Sequence, residues 1–272
     1  MRVSPLDDGF KALPPVSSEM LGALNSATKY PSIPTYHALD PKNGNLLEEP
    51  VDFGEELVEL TEKIDGTNAR LIFTWHDAFI GSREELLTCV GDVIHNPALG
   101  IVNSLLDTAK GLIHTSPVSS RSHVVVLYLE LYGLKSLPAW KQYSDGRPMW
   151  RMFDVAQIPV EMLSWPREKL SVWRENGGQS FSSATDLALM SAATGILPVP
   201  TVGIGDGTCL PRSIEDMAEH MKDSGASTLA AFPDIEGRSE GLVIRTLDRK
   251  IIAKARFEDY ERTLKRRMGG SR

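Results

Sequence analysis

Cysteine is scarce in this 272-residue chain: Cys89 and Cys209 stand far apart, with no Cys-x-x-Cys pair. That argues against a zinc module and against a disulfide framework, and both residues read as free thiols. Long apolar runs are missing as well. None comes near the roughly 18 residues of a membrane span, and Met1 to Pro15 lacks the charged-then-apolar order of a signal peptide. Neither a membrane partner nor secretion is indicated, which leaves a cytoplasmic protein as the default. The histidines at 37, 76, 95, 114, 123 and 220 show no metal-ligand spacing. Gly203-Ile204-Gly205-Asp206-Gly207 has neither the lysine of a P-loop nor a helical pattern after it, and reads as a glycine-rich turn. There is no repeat or low-complexity tract.

A basic excess is also absent overall, since the formal net charge is −7. The charge is uneven, however. From Arg245 to Arg272 there are ten Lys or Arg against four Asp or Glu, a balance of +6, so the first 244 residues carry −13. A basic C-terminal segment on an acidic body fits a localised phosphate-binding surface. It fits equally a solvated charged helix from Phe257 to Met268, on which Arg262, Lys265 and Arg266 fall at helical spacing.

With 42% hydrophobic and 24% charged residues the chain has the content of a globular protein with a full core. Residues 1 to 50 read as a loose lead-in that wraps the main domain, with a short helix near Ser18 to Thr28. A helix is predicted around Pro97 to Gly111. The run after His123, Val124 to Leu129, predicts a strand buried on both faces. Ser164 to Gly195 reads as two helical pieces broken at Asn176-Gly177-Gly178, and Ser213 with Asp216 reads as a capping box opening a helix to Lys222. Two last strands, Gly241 to Arg245 and Lys250 to Ala255, flank the turn Leu247-Asp248-Arg249. Strands and helices mixed without βα alternation make an α+β domain.

The most informative stretch is Glu62-Lys63-Ile64-Asp65-Gly66-Thr67-Asn68, between the strand-like runs Leu57 to Leu60 and Ala69 to Thr74. Asp-Gly is a common hairpin-turn pair, so the two runs are expected to form a hairpin with Lys63 at its mouth. Alone this describes a solvated surface lysine as well as a nucleophile. Further along stand Gly81-Ser82-Arg83, Leu129-Glu130-Leu131-Tyr132-Gly133, Arg151-Met152-Phe153-Asp154-Val155, Glu240-Gly241-Leu242-Val243-Ile244-Arg245 and Ile252-Ala253-Lys254-Ala255-Arg256-Phe257.

In this order the set resembles the covalent nucleotidyltransferase superfamily of ATP-dependent ligases and capping enzymes. Within it the chain is most similar to the nick-sealing phage-type RNA ligases, on Glu-Lys-Ile-x-Gly-Thr-Asn, on Glu-Leu-Tyr-Gly and on Lys29-Tyr30-Pro31-Ser32-Ile33. Asp65 departs from the histidine often found there in that group and matches DNA ligases instead, which leaves the polynucleotide open.

The resemblance implies two antiparallel sheets flanked by helices with the nucleotide between them, and an RNA-repair activity joining 5′-phosphate to 3′-hydroxyl ends. ATP would place AMP on Lys63, the AMP would pass to the 5′-phosphate, and the 3′-hydroxyl would displace it. For this Lys63 must be neutral, although a free lysine titrates at about pH 10.4. Burial and the neighbouring cations Lys254 and Arg256, which would also bind the α-phosphate, are expected to achieve that. Mg²⁺ or Mn²⁺ would be held by Glu130 and Glu240 with help from Asp65; Glu130 could bind a ribose hydroxyl instead. Arg83 would contact ribose or nucleic-acid phosphate, Phe153 would stack on adenine, and Asn68 would bind ribose or the 5′-phosphate. Main-chain groups of Glu62 and Lys63 would help read the adenine.

An oligonucleotide-binding barrel is not expected after Arg256, since 16 residues follow it. The expected layout is an adenylyltransferase domain over 1–262, with 1–28 as lead-in, and a basic tail over 263–272. Other readings stay open: a minimal ligase core that needs an end-healing or nucleic-acid-binding partner protein, a DNA ligase, or a nucleotide-binding module without transfer chemistry.

Overall fold

The structure, a computed structural model, describes residues 18–89, 92–96 and 98–269. The start of the expected lead-in and the last three residues of the expected tail lie outside the described residues. Helix α1 (Ser18–Thr28) precedes a small two-stranded sheet, β1 (His37–Leu39) with β2 (Leu46–Pro50). Then come β3 (Leu57–Lys63), β4 (Thr67–Phe73), β5 (Ala78–Ser82), β6 (Leu86–Cys89), β7 (Asp92–Val93), α2 (Ile101–Leu112), β8 (His123–Tyr132) and β9 (Met149–Pro159). The second half holds α3 (Arg167–Glu175), β10 (Ser180–Phe181), α4 (Ala184–Thr194), β11 (Thr201–Asp206), α5 (Ile214–Gly225), β12 (Gly241–Thr246), β13 (Ile252–Arg256) and α6 (Phe257–Gly269).

Two antiparallel sheets dominate, as expected of an α+β domain. One has seven strands in the order β10-β9-β8-β4-β5-β6-β7, the other four in the order β11-β3-β12-β13. Strand β8 runs through the middle of the larger sheet and is buried on both faces. Val125, Leu127, Leu129 and Leu131 join the cluster beneath α2 and α4, while Val124, Val126 and Tyr128 join the cluster beneath α1 and α3. In the smaller sheet Val58 and Leu60, Leu242 and Ile244, and Ala253 and Ala255 pack on α5 and α6. Alternation turns Thr61 and Lys63, Val243 and Arg245, and Ile252 and Lys254 to the opposite face, where a cleft lies.

The hairpin expected at Lys63 does not form. β3 pairs with β11 and β12, and β4 pairs with β5 and β8, so Ile64-Asp65-Gly66 crosses from one sheet to the other. Both strands gain a hydrogen-bonded neighbour on each side this way, which a two-stranded ribbon cannot offer. A Cβ on Gly66 would lie 2.4 Å from the Leu131 carbonyl oxygen and 3.0 Å from Tyr132 Cβ, so the crossing requires glycine.

The segment before β3 is more ordered than the sequence suggested. Lys254 N–H donates to the Pro34 carbonyl at 2.9 Å and Tyr36 N–H to the Lys254 carbonyl at 2.8 Å, so residues 34–36 cover the β13 edge. β1 and β2 were not foreseen because they span three and five residues with a register shift, too short for period-two patterning. The predicted helix starting after Ser213 is α5, and the Ser213 hydroxyl accepts from Asp216 N–H as an N-cap.

α6 is exposed along its outer face, at Glu258, Glu261, Lys265, Arg266 and Arg267, but several of its arginines are engaged within the protein. Arg262 binds Asp259 and the Gly44 carbonyl, Arg266 binds the Asn43 carbonyl and Asn45, and Arg267 binds Glu48 and Glu215. Three of its arginines therefore fasten the helix to the β1–β2 sheet and α5. No helix among the described residues is long and apolar enough to cross a membrane.

Candidate active site

The crossing at residues 64–66 opens on a cleft of about 430 Å³ between the two sheets. Glu62, Lys63, Asp65, Asn68, Arg83, Glu130, Phe153, Glu240 and Lys254 all line it. Arg256 does not; it lines an adjoining groove shared with Lys254. Its guanidinium is held by Asp259 at 2.7 and 3.0 Å, and Asp259 is buried in the first turn of α6.

Lys63 closes β3, and its ammonium sits 2.5 Å from a carboxylate oxygen of Glu240, the residue just before β12. Glu240 N–H donates in turn to the Lys63 carbonyl at 3.0 Å, so the two residues are tied by main chain and side chain. The sequence reading surrounded Lys63 with cations; its direct partner is a carboxylate. Lys254, two strands over on β13, is the lysine whose ammonium is disfavoured, by burial first and then by Arg256, Lys63 and Arg83.

Two further carboxylates face the Lys63–Glu240 pair. Glu130 projects from β8, whose register sets it opposite Asn68 of β4. Burial pushes its carboxyl up to about 8, against the attraction of Lys63 and with added repulsion from Glu240. Asp65 is also raised, by burial and then by Glu240. Carboxyls raised by burial and by one another bind a cation well. Among the described residues no group of three or more His, Cys, Asp or Glu side chains is close enough to hold a metal by itself. A largely hydrated Mg²⁺ or Mn²⁺ that shares its ligands with phosphate needs fewer.

Asn68 supplies a second sign of a ligand. Its side-chain oxygen is buried in the cleft without a hydrogen-bond partner. Such an atom is costly unless something fills the site. Arg83 follows β5 in a turn capped by the Ser82 hydroxyl, and it is exposed at the cleft rim. Phe153 sits where the β8–β9 register shifts, between the pairs Tyr128–Asp154 and Leu129–Met152. That bulge turns its ring toward the cleft, against Tyr30 at 5.0 Å with planes at 88°.

Glu62 is placed differently from its neighbour. Period two sends its side chain to the face opposite Lys63, where the carboxylate accepts from the Thr228 hydroxyl and from the amides of Leu229 at 2.8 Å and Ala230 at 3.1 Å. Its amide donates to the Pro200 carbonyl at 2.9 Å. The Glu62 amide and the Lys63 carbonyl, expected to face adenine, are thus engaged within the protein.

Several residues that line or support the site had no assigned role. Tyr30 donates to Asp154 at 2.8 Å and accepts from Arg249 at 2.7 Å, while Arg249 binds Asp154 at 2.7 Å. Arg245 donates to the Phe153 carbonyl at 3.2 Å and to Glu59 at 2.7 Å. Arginines on or just after β12 thereby hold both residues of the β9 bulge from across the cleft. Tyr30 and Arg245 lay inside quoted motifs; Arg249 lay in a predicted turn and carried no signal.

A family model described as RNA ligase matches residues 56–265. A comparison with curated proteins finds no match. Among solved structures the chain is similar to Naegleria gruberi RNA ligase with PPi, at TM-score 0.57 and 15% identity over 94% of this chain and 65% of that one. A mutant of that ligase with ATP and Mn gives 0.53 and 16% over 92% and 64%. Another mutant, with AMP and Mn, gives 0.52 and 16% over 92% and 63%. The chain spans between about half and two thirds of the length of the solved ligases it matches. Identities this low speak to the shared fold, and the family match covers most of the sequence from β3 to α6. The chain belongs to the RNA ligase family.

Proposed function

We propose that this protein is an ATP-dependent RNA ligase of the nick-sealing phage type, working in the cytoplasm and joining 5′-phosphate to 3′-hydroxyl ends through lysyl-AMP on Lys63. The observation that carries this reading is the placement of Lys63 on Glu240 in a cleft that also presents Lys254, Arg83, two further carboxylates and the unpartnered Asn68 oxygen.

An ammonium in an ion pair has no lone pair to offer, so attack requires the proton to leave Nζ and the contact with Glu240 to open. The amine then bonds to the α-phosphorus of ATP, the bond to the β-phosphate oxygen breaks, and pyrophosphate leaves with the electron pair. Lys254 and Arg83 bind and orient the phosphates. Asn68 binds ribose or the terminal phosphate of the RNA, and Phe153 offers its ring to adenine. Next a 5′-phosphate oxygen attacks the same phosphorus, the N–P bond breaks, and Lys63 is free again. The 3′-hydroxyl finally attacks the 5′-phosphate and AMP departs. One or two of Asp65, Glu130 and Glu240 would hold a divalent cation together with phosphate oxygens, Mg²⁺ or the Mn²⁺ present with the Naegleria ligase, and the cation would supply charge that offsets that of the phosphates.

A second reading has an observation of its own. Because Arg262, Arg266 and Arg267 are spent on internal contacts, the C-terminal helix offers less phosphate-binding surface than its sequence promised. That favours a core which adenylylates itself but needs a nucleic-acid-binding partner to seal. Incubation with ATP labelled at the α-phosphate, then with nicked RNA duplexes, tests both. The first reading expects an adduct and sealed RNA, the second an adduct with poor sealing; no adduct in either the untreated wild-type protein or a sample first stripped of bound AMP with pyrophosphate would rule out both.

A further inference from the structure

The crossing that carries Lys63 is supported from a part of the chain in which no motif lies. Tyr143, in the segment between β8 and β9, is fully buried, and its hydroxyl accepts a hydrogen bond from Asp65 N–H at 2.8 Å. Its ring packs with Ile64, Tyr132, Val199 and Ala230, and meets Tyr132 edge-on at 5.1 Å. Packing of that kind needs only the ring. A buried hydroxyl is a cost unless it is used, and here it satisfies an amide of the crossing.

The same residue holds the other half of the ion pair. The Tyr143 carbonyl accepts from Phe232 N–H at 2.8 Å, and Phe232 belongs to the loop between α5 and β12 that ends at Glu240. Tyr132 donates to the Ala230 carbonyl of that loop at 3.1 Å, and Glu62 binds its start at Thr228. Tyr143 reaches both ways, through its hydroxyl to Asp65, two residues after Lys63, and through its carbonyl to the Glu240 loop.

We infer that Tyr143 is a positioning residue for the nucleophile: it sets the crossing that presents Lys63 relative to the loop that presents Glu240. The inference rests on the lysyl-AMP reading of Lys63. Without the hydroxyl the Asp65 amide loses its acceptor, the crossing relaxes, and the amine no longer lies in line for attack. Misplacement of a reacting group by about 1 Å costs roughly 100-fold in rate.

The test is single-turnover label transfer from α-labelled ATP in Tyr143→Phe, which keeps the ring and removes the acceptor. The adduct should form about 10- to 100-fold more slowly at saturating ATP, while the ATP concentration for half-maximal rate stays within about twofold of wild type. The rise in Tm on adding ATP should be retained, showing an intact nucleotide site. A rate within about twofold of wild type would overturn the inference. So would loss of the ATP-induced Tm rise together with the rate, because a residue needed only for folding would do that. Absence of any adduct in the wild-type protein would overturn this inference and the lysyl-AMP reading together, whereas a normal wild-type adduct and an unaffected variant would overturn this inference alone.

Discussion

Lys63 Nζ and a carboxylate oxygen of Glu240 lie 2.5 Å apart although the residues are 177 positions distant in sequence. Their side chains are 24% and 26% exposed, so the pair is reachable from solvent through the cleft and is not a sealed structural bridge. A sealed bridge would serve stability; one at the edge of a cleft can open for chemistry.

Removal of the amine in Lys63→Ala should abolish the labelled adduct, by at least about 10³-fold, with the Tm nearly unchanged. Glu240→Gln keeps a hydrogen-bonding group and removes the charge. It should slow adduct formation about 100-fold and raise the divalent cation concentration needed, as read in a titration with Mg²⁺ and Mn²⁺.

Gly66→Ala puts a methyl group into the Leu131 carbonyl, with Glu130 Cγ also only 3.1 Å away. The Leu131 carbonyl is main chain of a central strand and cannot yield. The variant should lose about 1–3 kcal/mol of stability in denaturant unfolding, and its adduct yield should fall more than that of an alanine placed at exposed Gly111, where no atom lies within 4 Å. Equal yields from the two variants would refute a tight crossing.

Glu130 is raised from an ordinary 4.5 to about 8, chiefly by burial. A carboxyl held neutral in the folded state contributes stability that is fully present below its unfolded value and lost as pH rises toward its folded one. Stability in the absence of divalent cation should therefore decline between about pH 4.5 and pH 8, and the decline should flatten in Glu130→Gln. Cation binding must displace that proton, so apparent Mg²⁺ affinity should climb with pH up to about 8 and level off above it. Calorimetry at several pH values measures both trends.

Arg249 and Asp154 are 6% and 1% exposed and bridge the smaller sheet to the bulge beside Phe153. Breaking such a pair from one side leaves a buried charge alone, at a cost of about 3–5 kcal/mol. Arg249→Met should show that loss in denaturant unfolding, and it should weaken AMP binding by freeing the Phe153 bulge. A loss below about 1 kcal/mol would mean that the pair is solvated in solution.

Much of the local structure was legible. The apolar run of β8 predicted a strand buried on both sides, and helices cover both faces there. Ser213 announced α5 three residues ahead of its capping partner. The lysine motif, the later motifs and their order named residues that the fold gathers around one cleft. What failed was pairing. Asp65-Gly66 looks like a hairpin turn in any window of ten residues, and only the competing partners β8, β11 and β12 decide otherwise. The Glu62 side chain carried no signal of its own in the sequence, and strand alternation sends it to the face opposite Lys63, onto the amides of Leu229 and Ala230.

By itself the sequence determined the helices and the strands β3, β4, β8, β12 and β13 but not β1, β2 or β11, and with them the α+β class and the inventory of charged groups available for phosphate chemistry, because period, capping and residue type act over a few residues. The tertiary structure alone decided which of those charges are free. Arg256, Arg262 and Arg266 were candidates for binding phosphate until the fold set each within hydrogen-bonding reach of an internal acceptor. Tyr143 and Arg249 read as nothing until the chain brings them under the crossing and across the cleft. A side chain's chemistry is written in its type, but the partner that spends or spares it arrives from far along the chain, by packing.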